Sequence, residues 1–251
     1  GGILLKSKRY VTYPLAWAVQ RHFPELHVFG GIVLDFEGGG LCVPAVETAA
    51  QLGAKICWLP CFSAAHDMRK REIPGEGLCI VDCDGDLLPE VREILLIAQE
   101  HDMAIATGHL SFEEMWVLLD VASEMGLKKM IVTHVSEECV GATPTIAQQV
   151  ELANKGAIME HCYASIFPEI IAKLVGFKGK IEPFDFRKMV DAIRAVGPER
   201  CFISTDCGNA YVPLPVDGMR SFIQMLLDHG ITPQEIDVMA RRNPARLMGL
   251  E

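Results

Sequence analysis

The sequence predicts an α/β protein in which parallel strands are covered by helices on both faces. Short apolar runs recur along the 251 residues, and each ends in a polar residue or a glycine before an amphipathic helical segment. Continuously apolar strands that alternate with helices are typical of a parallel sheet buried on both sides. The predicted strands cover residues 2–6, 28–34, 55–62, 103–109, 129–135, 157–162 and 201–206. Seven βα units fit either an open doubly wound sheet or an eight-stranded barrel that lacks its first strand.

The helices between these strands carry start signals of known kinds. Ser111 and Glu114 form a capping-box pattern in front of one helix. The pair Thr143-Pro144 predicts the start of the next, because proline is favoured at the first helical position. Further N-caps are predicted at Asp185 and Thr232. We find no linker between these units, and we therefore predict a single domain over residues 1–251.

The composition excludes several classes of protein. Half of the residues are hydrophobic and 22% are charged, which allows a sizeable core and argues against disorder. The 33 acidic residues exceed the 23 basic ones, and the formal charge of −10 argues against a nucleic-acid partner. The apolar runs fall short of the roughly 18 residues that a membrane span needs. We therefore expect a small molecule as the main partner, with homo-oligomerisation left open.

The cysteines and the start of the chain bear on its cellular setting. The nine cysteines are odd in number and several lie inside apolar runs, so free thiols in a reducing cytoplasm are expected rather than a disulfide framework. A signal-peptide pattern is not visible. The sequence opens without a methionine on the run GGILLK, which already has the pattern of a strand. We therefore expect the natural protein to continue upstream.

Polar residues mark the ends of the predicted strands. They are Lys6, His109, His134, Glu160 with His161, and Asp206. In an α/β barrel the active site lies at the carboxyl ends of the strands. Imidazole nitrogens and carboxylate oxygens are the usual ligands of a catalytic zinc or related divalent ion, which activates a bound water. His109, His134 and Asp206 are therefore candidate metal ligands, and Asp206 could also move the proton of that water.

The other strand-end residues are candidates for substrate binding. Lys6 could orient a substrate carboxylate or form a Schiff base, although a simple ion pair is the plainer interpretation. Glu160 and His161 point in opposite directions on one strand, so only one should face the barrel interior. Comparison with the polar residues at the neighbouring strand ends favours His161 as the residue that faces the interior. His66 and Asp67 are expected on the surface of a loop.

The order of these residues resembles the amidohydrolase superfamily. A histidine on the fifth strand, a histidine on the sixth and an aspartate on the eighth match His109, His134 and Asp206. The segment NPARLMGL at residues 243–250 is similar to the helix that closes many members. GGIVL at 30–34 resembles strand three of an uncharacterised branch, as LLKS at 4–7 resembles its strand two. The resemblance covers essentially the whole chain and implies a (β/α)8 barrel without its first strand.

The resemblance also implies a reaction, a metal and two alternatives. It implies a metal-dependent hydrolase that attacks a C–N, C–O or related bond of a small molecule with activated water. In that case His109, His134 and Asp206 bind the ion, and His134 and Asp206 take part in catalysis. Zinc is expected, with manganese or iron as alternatives, and one ion rather than two, because the strand-one His-x-His pair and an obvious bridging residue are absent. A decarboxylase or lyase of the same superfamily and a metal-free binding scaffold are the alternatives.

Overall fold

The computed structural model describes residues 1–250, and a sheet of seven parallel strands lies at its centre. The strands are β1 (Gly2–Leu5), β2 (His27–Val33), β3 (Ile56–Trp58), β4 (Ala104–Ala106), β5 (Met130–Val132), β6 (Ile158–Cys162) and β7 (Cys201–Ser204). Neighbouring strands follow the order of the sequence, and every pair is parallel. This is the order of a (β/α)8 barrel with seven of its strands, which confirms the predicted fold class. The last residue of the predicted domain, residue 251, lies outside the described part.

Helices connect the strands and pack against the sheet. They are α1 (Tyr13–His22), α2 (Val43–Leu52), α3 (Ala65–Lys70), α4 (Pro89–Glu100), α5 (Phe112–Glu124), α6 (Ile146–Asn154), α7 (Pro168–Val175), α8 (Phe186–Val196), α9 (Pro215–Asp228), α10 (Pro233–Asp237) and α11 (Asn243–Leu247). Short 3-10 segments cover Phe36–Gly38, Tyr163–Ile166 and Pro198–Arg200, and a π-helical turn covers Val238–Arg242. Across residues 1–250, none of the helices combines the length and the apolarity needed to cross a membrane.

The helix starts confirm the predicted caps except one. Before α5 the Ser111 hydroxyl accepts from the Glu114 N–H at 3.2 Å, and the Glu114 carboxylate accepts from the Ser111 N–H at 2.9 Å. The predicted start at Thr143 is wrong, because α6 is capped by Thr145. Gln148 stands three residues after Thr145 and completes a capping box there, which Thr143 cannot form. The predicted caps at Asp185 and Thr232 are both confirmed.

Side chains alternate between two apolar layers on the two faces of the sheet. One layer fills the concave interior and includes Val33, Ile56, Trp58, Ala104, Ala106, Ile131, Ile158 and Phe202. The residues between them along the strands, such as Met159 and Ile203, belong to the larger core beneath the helices. The period of two along a strand therefore decides which polar residue at a strand end faces the interior.

Candidate active site

His109 and His134 follow the adjacent strands β4 and β5 and lie against each other. Their ring centroids are 4.9 Å apart, and both side chains are buried. Two threonines hold the strand ends in register: the Thr107 hydroxyl accepts from the Thr133 N–H at 3.1 Å, and the Thr133 hydroxyl accepts from the Gly108 N–H at 3.0 Å. These side-chain bonds extend the β4–β5 pairing to the residue before each histidine. The structure thus brings the two predicted imidazole ligands together.

Unusual backbone angles direct the site residues. Gly108 has φ +59°, and a Cβ there would collide with the carbonyl oxygen of Leu59. His134 and Asp206 have φ of +31° and +48°, a region that side chains other than glycine rarely adopt. Such strain costs of order 1 kcal/mol or more per residue and concentrates at functional sites. The backbone therefore turns sharply where the predicted ligands stand.

A fully buried carboxylate, Asp67, stands behind His109. Its Oδ1 lies 3.2 Å from His109 Nδ1, within ion-pair reach although not aligned as a hydrogen bond. The same oxygen accepts from the Gly141 N–H at 2.8 Å, while Oδ2 accepts from Arg71 Nε at 2.6 Å. Burial alone would raise the pKa of Asp67, but His109, Gly141 and Arg71 together lower it. The expectation that His66 and Asp67 lie on a loop surface is wrong, because both belong to helix α3. His66 is half-buried there, and the helix carries Asp67 inward to these partners.

Both imidazoles are neutral near neutral pH. Burial lowers the pKa of His109, although Asp67 acts against that shift. Burial lowers the pKa of His134 much further, with added repulsion from His109 and Lys6. In each ring Nδ1 is buried from solvent and has no hydrogen-bond partner among the described atoms, whereas Nε2 is not buried from solvent. Each ring therefore presents an accessible Nε2 at the carboxyl ends of the strands. We call this end, where Lys6, His109, His134 and Asp206 stand, the mouth of the sheet.

Glu160, and not His161, faces the interior from strand β6. Glu160 has the parity of the interior residue Ile158, and its Oε1 accepts from the Ser204 hydroxyl at 2.9 Å. Its Oε2 accepts from the His134 N–H at 3.2 Å. Burial raises the pKa of Glu160, while the charge of Lys6 opposes the rise. This carboxylate therefore ties the end of β5 to the end of β7.

The prediction that His161 faces the interior is wrong. His161 shares the parity of Met159, which belongs to the core beneath the helices. It is fully buried, and within residues 1–250 neither ring nitrogen finds a hydrogen-bond partner. Burial lowers the pKa of His161 to about 4. The ring is therefore neutral, and it lies in the helical layer rather than in the candidate site.

Lys6 extends from the edge strand β1 over the interior residue Trp58. Its Nζ lies 5.1 Å from the centroid of the Trp58 ring, and its side chain stays exposed to solvent. The packed surroundings tend to lower the pKa of Lys6, but the nearby groups of Cys61, Asp206 and Glu160 outweigh this and raise it. Lys6 is therefore a cation at neutral pH, which favours ion pairing over Schiff-base formation.

Sequence reasoning missed two buried carboxylates near the mouth. Asp35 lies two residues beyond β2, where the strand-end rule could have found it, and accepts from the N–H groups of Cys61 and Ser63 at 2.8 and 2.9 Å. Glu137 lies three residues beyond His134, where that rule gives no signal. Burial raises the pKa of Glu137 to about 7, and the charge of Asp206 adds to the rise. Asp35 shapes the β3 loop, whereas Glu137 is a titratable group at the mouth.

The implied metal fits the imidazole pair better than it fits the whole predicted ligand set. The accessible Nε2 atoms of His109 and His134 suit a divalent ion, since neutral imidazole is its commonest nitrogen ligand. Asp206 is exposed at the end of β7. In the described part of the chain, no three His, Cys, Asp or Glu side chains are grouped closely enough to hold a metal ion. The structure thus assembles two of the three predicted ligands.

Solved structures with this fold include several hydrolases. The chain is similar to the probable dipeptidase PvdM from Pseudomonas aeruginosa, with a TM-score of 0.65 and 12% identity over 94% of this chain and 77% of that one. A Pseudomonas putida protein assigned as a 2-pyrone-4,6-dicarboxylic acid hydrolase gives 0.61 and 16%, covering 100% and 82% of the two chains. An amidohydrolase from Pseudomonas aeruginosa gives 0.56 and 14%, covering 98% and 78%. These likenesses confirm the predicted barrel-type fold.

The family assignment comes from the first two thirds of the chain. Among curated proteins, none matches the sequence. A family model matches residues 1–160, a range that includes β1–β5, both imidazoles of the mouth and Glu160. The chain therefore belongs to DUF6282, a family of unknown function.

Proposed function

We propose that this protein is a metal-dependent hydrolase that directs activated water at a C–N, C–O or related bond of a small molecule. One observation carries the proposal: two neutral, buried imidazoles lie 4.9 Å apart at the carboxyl end of the sheet and present accessible Nε2 atoms. That is where barrels of this type hold their active sites. The fold likeness to a dipeptidase and to an amidohydrolase supports the same chemistry.

His109 and His134 would hold the ion. Asp206, the third predicted ligand, is not grouped with them in the described residues, so we propose it as the proton-transfer residue. Zinc is the proposed metal, and manganese or iron would accept the same donor atoms. When bound, such an ion lowers the pKa of water towards about 7 and so supplies hydroxide at neutral pH. Burial keeps His109 and His134 unprotonated, so each ring offers a nitrogen lone pair for the ion.

The remaining residues divide the work of binding and proton transfer. Asp206 is exposed, so its carboxylate can take a proton from water and return it to a leaving group. Lys6 is a cation beside that carboxylate and would attract an anionic group of the substrate. Both oxygens of Glu160 already accept hydrogen bonds, so Glu160 would hold the site together rather than contact substrate. His161 points away from this space, and we assign it no substrate contact.

Isotope incorporation tests the reaction. Zinc-loaded protein is incubated in ¹⁸O-labelled water with a panel of small amides, esters and lactones. The ¹⁸O content of the products is then measured by mass spectrometry. The proposal predicts a product that carries one ¹⁸O, and a loss of about 100-fold or more in turnover for Asp206→Asn. Undiminished turnover in that variant would contradict the assigned role. When carboxylic acids are added to the panel, release of CO₂ with no ¹⁸O in the organic product would identify a lyase instead.

A further inference from the structure

Two carboxylates beside the mouth are fully buried, yet they face different groups. Asp35 accepts from the backbone N–H groups of Cys61, Phe62 and Ser63, at 2.8, 3.3 and 2.9 Å. Asp67 places Oδ1 3.2 Å from Nδ1 of His109. Asp35 therefore serves the β3 loop, whereas Asp67 acts on a side chain of the candidate site.

The charge of Asp67 bears on which nitrogen of His109 carries the proton. A neutral imidazole has one N–H and one bare nitrogen. A bare Nδ1 would place its lone pair 3.2 Å from a carboxylate oxygen of Asp67, which is unfavourable in a buried setting where charges are weakly screened. A proton on Nδ1 turns the same contact into an attraction. The carboxylate therefore favours the tautomer with Nδ1–H, in which Nε2 is bare.

Arg71 fixes the carboxylate in this position. Its Nε donates to Asp67 Oδ2, and its other nitrogens donate to the carbonyl oxygens of Phe62 at 2.9 Å and Val175 at 3.1 Å. The Arg71 side chain is itself buried. The pair thus connects helix α7, which ends at Val175, to the ring of His109 through three side-chain contacts.

We propose that Asp67 is a positioning residue for His109: it holds the imidazole as the Nδ1–H tautomer and so leaves Nε2 as the donor atom at the mouth. The tautomer follows from the buried contact alone. Its consequence for metal binding rests on the proposed function, because a carboxylate behind a ligating histidine fixes the ring and raises its affinity for the ion.

Nitrogen NMR of the histidine side chains tests the tautomer directly. Long-range ¹H–¹⁵N spectra of the full chain distinguish a protonated from a bare ring nitrogen, and His109→Gln assigns the signals. The test variant is the double substitution Asp67→Leu with Arg71→Met, since removing both partners avoids leaving one charge buried alone. Asp35→Asn is the matched control, because it alters a buried carboxylate whose hydrogen bonds go to the backbone at residues 61–63 and not to His109. Zinc titration of the same proteins gives the second measurement.

The expected result is Nδ1–H for His109 in the wild type and in Asp35→Asn, with a shift to Nε2–H in the double variant. Zinc affinity should fall about 10- to 100-fold in the double variant alone. If the double variant does not fold, Asp67→Asn is measured in the same way. Wild-type His109 protonated at Nε2, or an unchanged tautomer in the folded variant, would overturn the proposal. A shifted tautomer with no zinc binding by the wild type would leave Asp67 as a positioning residue and contradict the proposed metal function.

Discussion

The mouth of the sheet has two sides that differ in charge and in access to water. On one side His109 and His134 are 3% and 4% exposed and are neutral. On the other side Lys6 and Asp206 are exposed, and Lys6 is charged. The strand order explains the contrast, because the imidazoles follow the central strands β4 and β5, whereas Lys6 and Asp206 follow the edge strands β1 and β7. Buried neutral imidazoles suit the proposed ion, and exposed charged groups suit the proposed exchange with substrate and solvent.

The largest expected effect comes from removing an imidazole of the buried side. His109→Ala or His134→Ala should weaken zinc binding by at least about 100-fold, because each removes a proposed ligand outright. The matched control is His161→Leu, which removes a buried imidazole that faces the helical layer. Metal analysis after dialysis measures the difference. Equal zinc content in all three variants would show that the inward-facing histidines are not the ligands.

The turn before His109 should be next in sensitivity. Gly108→Ala adds a Cβ that collides with the Leu59 carbonyl oxygen, in a left-handed conformation with φ +59°. Overpacking and backbone strain together should lower the free energy of unfolding by about 4 kcal/mol. Gly156→Ala is the control, since φ there is +102° but an added Cβ meets no described atom within 4 Å. Denaturant unfolding should show a loss of about 1 kcal/mol for the control, and equal losses would contradict the packing argument.

Acidification should lower the free energy of unfolding through His161, whose buried ring faces the helices. Burial lowers the pKa of His161 to about 4 from an ordinary 6.5. Between these values the unfolded chain binds a proton that the folded chain does not, so the free energy of unfolding falls as the pH falls from 6.5 towards 4. Above pH 6.5 the contribution of His161 is fully present, and its loss on acidification is about 3 kcal/mol.

His161→Leu should therefore flatten part of this pH dependence. His109 and His134 also have lowered pKa values, so a residual slope with the same sign should remain. Unfolding curves at several pH values between 4 and 7 measure both slopes. Identical slopes in the variant and the wild type would contradict the buried, neutral state of His161.

The smallest expected effect concerns Glu160, whose carboxylate links the end of β5 to the end of β7. Glu160→Ala removes the acceptor of the His134 N–H and of the Ser204 hydroxyl, and should lower the free energy of unfolding by about 2 kcal/mol. Glu160→Gln should cost less, since its amide can accept from His134 N–H and donate to Ser204. Thermal melts of the two variants give the comparison. An equal loss in both would show that the charge of Glu160, rather than its hydrogen bonds, matters.

The strand pattern of the sequence predicted the fold and the imidazole pair, but not the direction of every side chain. The seven apolar runs correspond to the seven strands, and His109 and His134 meet because their strands are neighbours. For His161, the face predicted from the alternation of side chains was wrong. Gly108 and His134 have positive φ and turn the chain beyond the ends of β4 and β5, whereas β6 continues regularly to Cys162. Comparing His161 with those histidines therefore gave the wrong face.

The role of Asp67 was hidden from the sequence for a different reason. Its partners Gly141 and His109 are 74 and 42 positions away, and they meet it only after the loops beyond β3, β4 and β5 pack together. Local pattern near Asp67 shows charged neighbours at 69–71, which is typical of a solvated surface. Tertiary packing alone makes this segment part of the site.

A crystal structure of the zinc-soaked protein, with an anomalous difference map at the zinc edge, would show whether the two imidazoles bind metal together. We expect one zinc peak in contact with Nε2 of His109 and Nε2 of His134. A map with no peak there, or with its strongest peak on cysteine sulfurs, would show that this pair is not the metal site.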